Sequence, residues 1–285
     1  MIVDFRVSAP TPKGLAPILG RTDRLAGYRE VYAKSYRDVS TELYMAPDRF
    51  VEHLDEVGVD HAVLFTANSL AVGLSYPNDE LAEFVQARPD RMSALAGIDP
   101  RTGKAAVAEV ERAVTELGFV GVTMGPWTHR MATDDRAYYP IYAKCSELGV
   151  PVVLHCSISF DRGALLDDEH PRRIDQIAVD FPDLKIVASH AGWPWVLELV
   201  AVAWRHPTVM IELSAINPRH LATENSGYGP LLQYGNTLLQ DRVMWGSAWP
   251  AISMTDSMAA VRDLPLKPEV VDKWLGDNAQ RFLGL

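Results

Sequence analysis

Short runs of β-branched and large aliphatic residues alternate with helix-like segments along almost the whole chain. The predicted strands are Ile2–Val7, His61–Phe65, Met92–Ile98, Phe119–Met124, Pro151–His155, Lys185–His190, Val209–Leu213 and Val243–Gly246. Between them, Lys104–Leu117 and Tyr138–Leu148 each carry an apolar stripe at helical spacing and are followed by glycine. Uninterrupted apolar strands joined by helices are typical of parallel sheets buried on both faces. The pattern therefore predicts an α/β protein.

The number and spacing of these strands favour a closed (β/α)8 barrel, the TIM barrel. A chain of 285 residues is long enough for one such barrel, which typically needs about 250 residues. An open, doubly wound sheet is the alternative, but no glycine-rich phosphate-binding turn follows any predicted strand. We therefore expect one barrel domain over residues 1–285.

Two long connections distort the regular repeat. The first, residues 9–46, follows strand one and carries four tyrosines with mixed charges; the second, residues 216–240, follows strand seven. Connections after barrel strands surround the catalytic mouth, so both insertions are predicted to border it. The first is interpreted either as a lid over the site or as an arm of a subunit interface.

Composition and charge exclude several classes of binding partner and cellular location. The formal net charge of −10 argues against a surface for nucleic acid or anionic membranes. No apolar run approaches the roughly 18 residues of a membrane span, and the first residues do not form a signal peptide. Cys145 and Cys156 fit core positions better than a disulfide or a metal site. These features lead us to expect a cytoplasmic protein.

Polar residues stand at the predicted carboxyl ends of the strands, where barrels carry out their chemistry. Strand alternation predicts inward side chains for Asp4, Arg6, Ser8, Thr123, His155, Ser157, His190, Glu212, Ser214 and Ala248. Two inward histidines on neighbouring strands, His155 and His190, favour a functional interpretation. Just beyond strand ends, Trp127, Trp193 and Trp249 are expected to line the mouth for an apolar or aromatic ligand.

Several segments resemble the amidohydrolase-2 family in register across essentially the whole chain. They are residues 54–60, 78–81, 89–91, 118–122, 181–190, 246–250 and 278–285. The family includes aminocarboxymuconate-semialdehyde decarboxylase, γ-resorcylate decarboxylase and lactonases. The resemblance implies a distorted (β/α)8 barrel with its site at the carboxyl ends of the strands, often in a dimer.

The departures from the family pattern concern its metal. Members usually open with Asp-x-His-x-His, whose histidines bind a divalent ion, whereas this chain has Arg6 and Ser8 there. The aspartate of the family's Gly-Ser-Asp-x-Pro motif is replaced by Ala248. His155 and His190 remain, but a catalytic zinc normally has three protein ligands. We therefore expect neither a metal nor another cofactor.

The predicted chemistry centres on Arg6. Its guanidinium would supply a cation that binds a substrate carboxylate or a developing oxyanion. His155 and His190 are predicted to act as general acid and base near neutral pH, with Glu212 as a further catalytic candidate. The predicted substrate-binding residues are Ser8, Thr123, Trp127, Ser157, Trp193, Ser214 and Trp249.

Three functional hypotheses follow, all with a small molecule as the partner. The main one is a metal-independent hydrolase or lactonase for a carboxylated cyclic or aromatic compound. The alternatives are a nonoxidative decarboxylase of an aromatic or muconate-like acid and a non-catalytic ligand-binding protein. Structural interpretations also stay open: Arg6 could pair with Asp4 or Glu212, and the two histidines could be inert.

Overall fold

Eight parallel strands pair in sequence order, from β1 to β8, in a computed structural model that describes residues 1–16 and 43–285. The strands are β1 (Val3–Ser8), β2 (His61–Phe65), β3 (Met92–Gly97), β4 (Gly121–Met124), β5 (Val152–His155), β6 (Ile186–Ser189), β7 (Val209–Glu212) and β8 (Val243–Met244). The ring closes where the amide of Ser8 donates to the carbonyl of Trp249 at 2.9 Å. The predicted (β/α)8 barrel is confirmed.

Helices follow the strands and pack around them. They are α1 (Pro47–Val57), α2 (Asn78–Gln86), α3 (Lys104–Thr115), α4 (Pro126–His129), α5 (Tyr139–Leu148), α6 (Pro171–Asp180), α7 (Val196–Arg205), α8 (Gly229–Gly235), α9 (Met254–Arg262), α10 (Pro268–Asp272) and α11 (Asn278–Leu283). Helix α5 ends at Gly149, whose φ of 70° is the left-handed conformation expected of a glycine stop. None of the helices in these two described ranges is long and apolar enough to cross a membrane.

The interior of the barrel is apolar at the amino-terminal ends of the strands. One cluster there comprises Val3, Phe5, Val63, Leu95, Val153, Val187, Met210 and Met244, with Ala279 of α11. The rings of Phe5 and Phe282 meet edge to face, with centroids 6.4 Å apart, so α11 closes this end. A packed floor of this kind supports the opposite end, where the polar side chains gather.

Strand β1 reverses its alternation part-way along. Val3 and Phe5 belong to the interior cluster, so the prediction that Asp4 faces inward is wrong. Pairing with β2 shifts register between Asp4 and Val7, as at a β-bulge. The extra residue turns Arg6 towards the interior, which strict alternation from Phe5 would not do.

Asp4 instead stabilises the seam that closes the barrel. Its carboxyl accepts hydrogen bonds from the amide of Ser247 at 2.9 Å and from the hydroxyl of Ser247 at 2.5 Å. Burial raises the pKa of Asp4 to about 7, against the lowering effect of these hydrogen bonds. The residue therefore joins β1 to the segment after β8 and does not point into the mouth.

Both cysteines lie in the core between the strands and the helices. Cys145 on α5 and Cys156 after β5 are fully buried among apolar residues. Burial raises the pKa of the Cys145 thiol to about 12 and that of Cys156 further. Neither thiol is suited to nucleophilic chemistry, in agreement with the sequence-based expectation.

Candidate functional site

A cavity of about 350 Å³ opens at the carboxyl ends of the strands. Its deep part is lined by Arg6, Ser8, Phe65, Thr123, His155 and His190, and its outer part includes Asn68, Tyr76, Trp127 and His129. Pro12 and Lys13, from the start of the first predicted insertion, also reach it. Residues 17–42 of that insertion lie outside the described residues. The second insertion packs into the helix layer through Tyr228 and Leu231.

Arg6 places a cation in the deep part of the cavity. Its Nη1 donates to the hydroxyl of Thr123 at 3.3 Å. The guanidinium carbon lies 4.2 Å from the centroid of the Phe65 ring, which is a cation–π contact. Thr123 belongs to β4 and Phe65 to β2, so the side chain of Arg6 is held from two strands besides its own. These contacts fix its orientation at the floor of the cavity.

His155 and His190 face each other beside this cation. Their ring centroids are 4.6 Å apart. His155 ends β5 with regular alternation, whereas His190 follows β6 with a φ of 68°. Alternation alone would direct Ser189, one residue earlier, into the barrel, because Val187 belongs to the interior cluster. The left-handed backbone at His190 brings its ring to the cavity instead.

Neither imidazole titrates near neutrality in this environment. Burial, followed by the charge of Arg6, lowers the pKa of His155 to about 3. Burial, His155 and Arg6 lower the pKa of His190 as well, against the hydrogen bond to the carbonyl of Ser214. Both rings are therefore neutral at pH 7, which differs from the expectation that they titrate near neutral pH.

The tautomer of His190 is set by the loop after β7. Its Nδ1 lies 2.6 Å from the carbonyl oxygen of Ser214, which can only accept, so Nδ1 carries the proton. The Nε2 atom of His190 is left with a lone pair. His190 is therefore suited to accept a hydrogen bond or a proton from a ligand.

Glu212 lies behind this arrangement as a buried acceptor. Its carboxylate receives the amide of Ser214 and, at 2.7 Å, the hydroxyl of the same residue. Burial raises the pKa of Glu212, while Arg6 and the Ser214 hydrogen bonds act in the opposite direction. Gly246 permits the close approach, since a Cβ there would collide with Glu212 Oε1 and contact Arg6. Glu212 thus holds Ser214 in place, and Ser214 in turn contacts His190.

A second buried carboxyl contacts the other imidazole. Oε2 of Glu169 lies 2.8 Å from Nδ1 of His155, and Oε1 accepts the amide of Trp127 at 3.0 Å. Glu169 ends a short 3₁₀ helix, Leu166–Glu169, in the loop after β5. Burial raises the pKa of Glu169 well above its usual range, and the nearby Asp168 adds to this effect. Both effects favour the protonated form of Glu169, and its contact with Nδ1 of His155 lacks hydrogen-bond geometry.

The structure brings most, but not all, of the predicted residues to the cavity. Arg6, Ser8, Thr123, Trp127, His155 and His190 line it. Ser214 lies directly behind His190, whereas Ser157 turns its hydroxyl towards the carbonyl of Ile158 at 3.3 Å. Five predicted residues do not line the cavity: Ser157, Trp193, Glu212, Ser214 and Trp249.

The two excluded tryptophans have partners elsewhere. Trp249 packs against the rings of Phe50 and His53 in the helix layer, at centroid distances of 5.7 and 5.6 Å. Trp193 is 37% exposed and donates its indole N–H to the carbonyl of Ser226 at 3.1 Å. Sequence position after a strand does not determine which way a loop side chain points.

Sequence reasoning missed Phe65 and Glu169. Alternation could have identified Phe65, because it lies two residues after the inward Val63 on β2. No spacing or motif marks Glu169, which reaches His155 only through the path of the loop. Its contact with the imidazole is a product of tertiary structure.

The residues present do not fit the divalent metal that the family resemblance implies. Across residues 1–16 and 43–285, no three His, Cys, Asp or Glu side chains group so that they could hold a metal ion. The deep cavity offers two imidazoles as metal ligands. Beside them lies the guanidinium of Arg6, which cannot bind a metal and repels a cation.

Comparison with known proteins places this barrel in a family. The sequence model described as amidohydrolase matches residues 23–285. The γ-resorcylate decarboxylase of Rhodococcus jostii is 28% identical over 216 residues, covering 61% of this chain and 64% of that protein. The 2-amino-3-carboxymuconate-6-semialdehyde decarboxylase of Dictyostelium discoideum is 27% identical over 132 residues, covering 43% and 36%. These matches thus span less than two thirds of the relatives' own lengths.

Solved structures show the same fold. An uncharacterised TIM-barrel protein from Bordetella bronchiseptica superimposes with a TM-score of 0.83 and 28% identity, over 99% of this chain and 98% of that one. A dihydroxybenzoic acid decarboxylase from Polaromonas sp., with bound manganese and 2-nitroresorcinol, gives a TM-score of 0.73 at 20% identity, over 100% and 97%. The similar proteins of stated activity are mainly decarboxylases. This favours the decarboxylase alternative over the hydrolase or lactonase that the sequence analysis placed first.

Proposed function

The chain belongs to the amidohydrolase family, and we propose that it is a nonoxidative decarboxylase of a small, electron-rich aromatic or muconate-like acid that works without a metal. One observation carries this proposal: a fixed guanidinium and two neutral imidazoles converge on one cavity. A cation, a proton donor and a proton acceptor are the groups that such a reaction needs. The names of the similar proteins support the choice of reaction.

Arg6 orients the substrate. Its guanidinium offers several N–H donors in one plane, which match the two oxygens of a carboxylate. Phe65 and Trp127 both line the cavity and offer aromatic surface to a flat ring. A cation that only held the carboxylate would stabilise the reactant more than the transition state. In this proposal the acceleration of decarboxylation therefore comes from proton transfer to the substrate.

His155 supplies that proton in this proposal. Binding of the anionic substrate beside Arg6 favours uptake of a solvent proton by His155, and the resulting imidazolium gives its Nε2 proton to the ring carbon that bears the carboxylate. A π electron pair of the ring forms the new C–H bond, and His155 returns to the neutral imidazole. The electron pair of the C–C bond then returns to the ring, and CO₂ departs. The lone pair on Nε2 of His190 accepts a hydrogen bond from a ring hydroxyl, which makes the ring more electron-rich.

The test is direct assay of the purified protein after treatment with a chelator. Hydroxybenzoic, dihydroxybenzoic and muconate-type acids labelled with ¹³C in the carboxyl group are supplied, and labelled CO₂ is measured. We expect release of CO₂ that chelation leaves unchanged. Turnover that requires added manganese or zinc would overturn the metal-free mechanism. Hydrolysis of aromatic lactones without CO₂ release would favour the hydrolase instead, and ligand binding with no turnover would favour a binding protein.

Variants of Arg6 test its role within this assay. Arg6→Ala should lower kcat/KM by about 10²- to 10³-fold, because it removes the fixed cation, and Arg6→Lys should recover only part. Arg205→Ala on α7, a 64% exposed arginine far from the cavity in the helix layer, is the matched control and should behave as wild type. Wild-type kinetics in Arg6→Ala would make Arg6 structural.

A further inference from the structure

We propose that the substrate carries two carboxylates: one faces Arg6 in the deep part of the cavity, and Lys13 and Tyr76 bind the other in the outer part. The proposal rests on the decarboxylase function argued above and narrows its substrate to a dicarboxylic acid. Lys13 and Tyr76 together are called the outer subsite.

The sign of the charges on the cavity wall is the first argument. Arg6 and Lys13 both line the cavity, and none of the lining side chains in the described part of the chain is an aspartate or a glutamate. The chain as a whole carries a formal charge of −10, so this wall is opposite in sign to the rest of the protein. Two cations without a carboxylate on the wall suit a ligand with two negative groups.

The two cations lie at different depths. Arg6 is held at the floor by Thr123 and by the ring of Phe65. Lys13 belongs to the segment after β1, and its side chain is 48% exposed, so it lies at the opening of the cavity. A carboxylate at the floor therefore leaves Lys13 for a second anionic group of the same ligand.

Tyr76 supplies a hydroxyl to the outer subsite. It lines the cavity and is only 4% exposed. Its hydroxyl oxygen accepts from Oγ1 of Thr11 at 3.1 Å, and Oγ1 of Thr11 in turn accepts the amide of Gly14 at 3.1 Å. Because the phenol oxygen accepts from Thr11, its own proton can be donated to a ligand in the cavity. A carboxylate oxygen is a suitable acceptor.

Glu80, near the start of α2, shows that Lys13 and Tyr76 are neighbours. Its carboxylate forms an ion pair with the ammonium of Lys13. Burial raises the pKa of Tyr76, the hydrogen bond from Thr11 lowers it, and the charge of Glu80 raises it further. Glu80 therefore lies close to both residues, and the phenol keeps the proton that it donates.

The ion pair of Lys13 with Glu80 is one that a ligand can replace. Both side chains are about half exposed, and ion pairs in contact with water contribute little to stability. The lysine side chain is long and flexible, so its ammonium can turn from Glu80 to a carboxylate inside the cavity. Glu80 itself does not line the cavity and stays in contact with solvent.

The outer subsite also accounts for product release. Decarboxylation converts the carboxylate at Arg6 into CO₂, and a C–H bond takes its place on the ring carbon. The product keeps only the outer carboxylate and has lost its contact with Arg6. It therefore binds less tightly than the substrate and leaves the cavity.

The test measures binding, so it does not depend on turnover. Isothermal titration calorimetry on the whole protein gives Kd for benzoate, isophthalate and terephthalate, which share one ring and differ in the number and spacing of carboxylates. We expect at least one of the two diacids to bind about tenfold more tightly than benzoate. Equal affinity for all three acids would overturn the outer subsite.

Variants of the outer subsite assign this preference to its residues. Lys13→Met should weaken binding of the preferred diacid about tenfold and leave benzoate within about threefold, whereas Lys13→Arg should keep the preference. Tyr76→Phe retains the ring and should weaken only the diacid, by about three- to tenfold. Lys104→Met is the matched control, because this exposed lysine at the start of α3 does not line the cavity. It changes the net charge equally and should bind as wild type.

Glu80→Gln separates a ligand contact from a structural role of Lys13. It breaks the same ion pair as Lys13→Met but leaves the ammonium to the ligand, so diacid binding should tighten by about two- to fivefold. If the ion pair only held the segment after β1 in place, both variants would weaken binding alike, and the proposal would be wrong.

Binding and turnover can fail separately. A diacid preference that depends on Lys13, without any release of labelled CO₂, would overturn the decarboxylase and leave the outer subsite standing. Release of CO₂ from monocarboxylic acids without a diacid preference would overturn the outer subsite and leave the decarboxylase.

Discussion

The two sides of the cavity each pair an imidazole with a buried carboxyl group, but in opposite ways. On the β7 side, Glu212 accepts both the amide and the hydroxyl of Ser214, and Ser214 in turn holds His190. On the β5 side, Glu169 accepts one amide and otherwise meets His155 itself. Glu212 thus has two hydrogen-bond donors and the charge of Arg6 close to it, whereas Glu169 has one donor, the amide of Trp127.

The difference shows how one barrel mouth can give two buried carboxyl groups different electrostatic environments. A carboxylate that receives several donors is stabilised in its charged form, whereas burial without such donors favours the protonated form. The carbonyl of Ser214 also fixes the tautomer of His190, whereas Nδ1 of His155 has no hydrogen-bond partner. The predictions below test that contrast, from the largest expected effect to the smallest.

Replacing each carboxyl by its amide should separate the two sides most strongly. Glu212→Gln removes a buried charge that faces Arg6 and leaves a donor opposite the donors of Ser214, so it should cost about 3–5 kcal/mol in the free energy of unfolding. Glu169→Gln should cost less than about 1 kcal/mol, since its amide oxygen can still accept the amide of Trp127. Urea denaturation measures both; equal losses would contradict the contrast.

Restoring metal ligands should remove the guanidinium on which both sides depend. Arg6, Ser8 and Ala248 all line the cavity, so the triple change Arg6→His, Ser8→His and Ala248→Asp surrounds it with ligands beside His155 and His190. The variant should gain about 2.7 kcal/mol of stability at a zinc concentration of 100 times Kd. The measurement is a zinc-dependent rise in Tm that wild type lacks. A folded variant without that rise would refute the placement of these three residues.

Removing the hydroxyl of Ser214 should weaken the hydrogen bonding around Glu212 without affecting the β5 side of the cavity. Ser214→Ala leaves Glu212 without the 2.7 Å hydrogen bond and His190 without a hydroxyl neighbour, but keeps the backbone carbonyl that holds Nδ1. The expected loss of stability is about 1–3 kcal/mol, the cost of a buried acceptor left partly unsatisfied. The tautomer of His190 should not change by ¹⁵N NMR. A change would mean that the hydroxyl, not the carbonyl, selects it.

Outside the two sides of the cavity, a third buried carboxyl, Asp4, should make the free energy of unfolding depend on pH. Its folded pKa of about 7 lies above the ordinary value of 3.8, so the folded chain holds a proton that the unfolded chain releases between these values. Its contribution is therefore present at low pH and is lost as pH rises towards neutrality. Asp4→Asn should flatten this part of the stability profile, measured by denaturation from about pH 4 to pH 8. A slope identical to wild type would contradict the assignment.

Most of the architecture follows from local patterns. Apolar runs at regular spacing are sufficient to predict the eight strands, and the observed ends differ from the predicted ones by a few residues, as at β4, which begins at Gly121 instead of Phe119. Chemistry at the carboxyl ends of strands is a general property of this fold. The position of His155 along β5 therefore suffices to direct its side chain into the mouth.

Local rules also reached correct positions for incorrect reasons. Alternation predicted Arg6 inward together with Asp4, but the bulge in β1 separates the two. His190 enters the cavity because its backbone is left-handed, and not because β6 directs it there. Bulges and left-handed residues depend on pairing and packing with neighbouring strands, which a periodic pattern does not encode.

The sequence by itself determined the barrel and placed Arg6, His155 and His190 at strand ends, because both follow from residue type and strand spacing. Only the tertiary structure decided that Arg6 and His190 turn into the cavity and what the two histidines contact there. The contact of Glu169 with His155, the hold of Ser214 on His190 and the outward course of Trp193 and Trp249 all depend on how loops fold over the strand ends. Protonation states are set by burial and by neighbours in space, and those are properties of the folded chain alone.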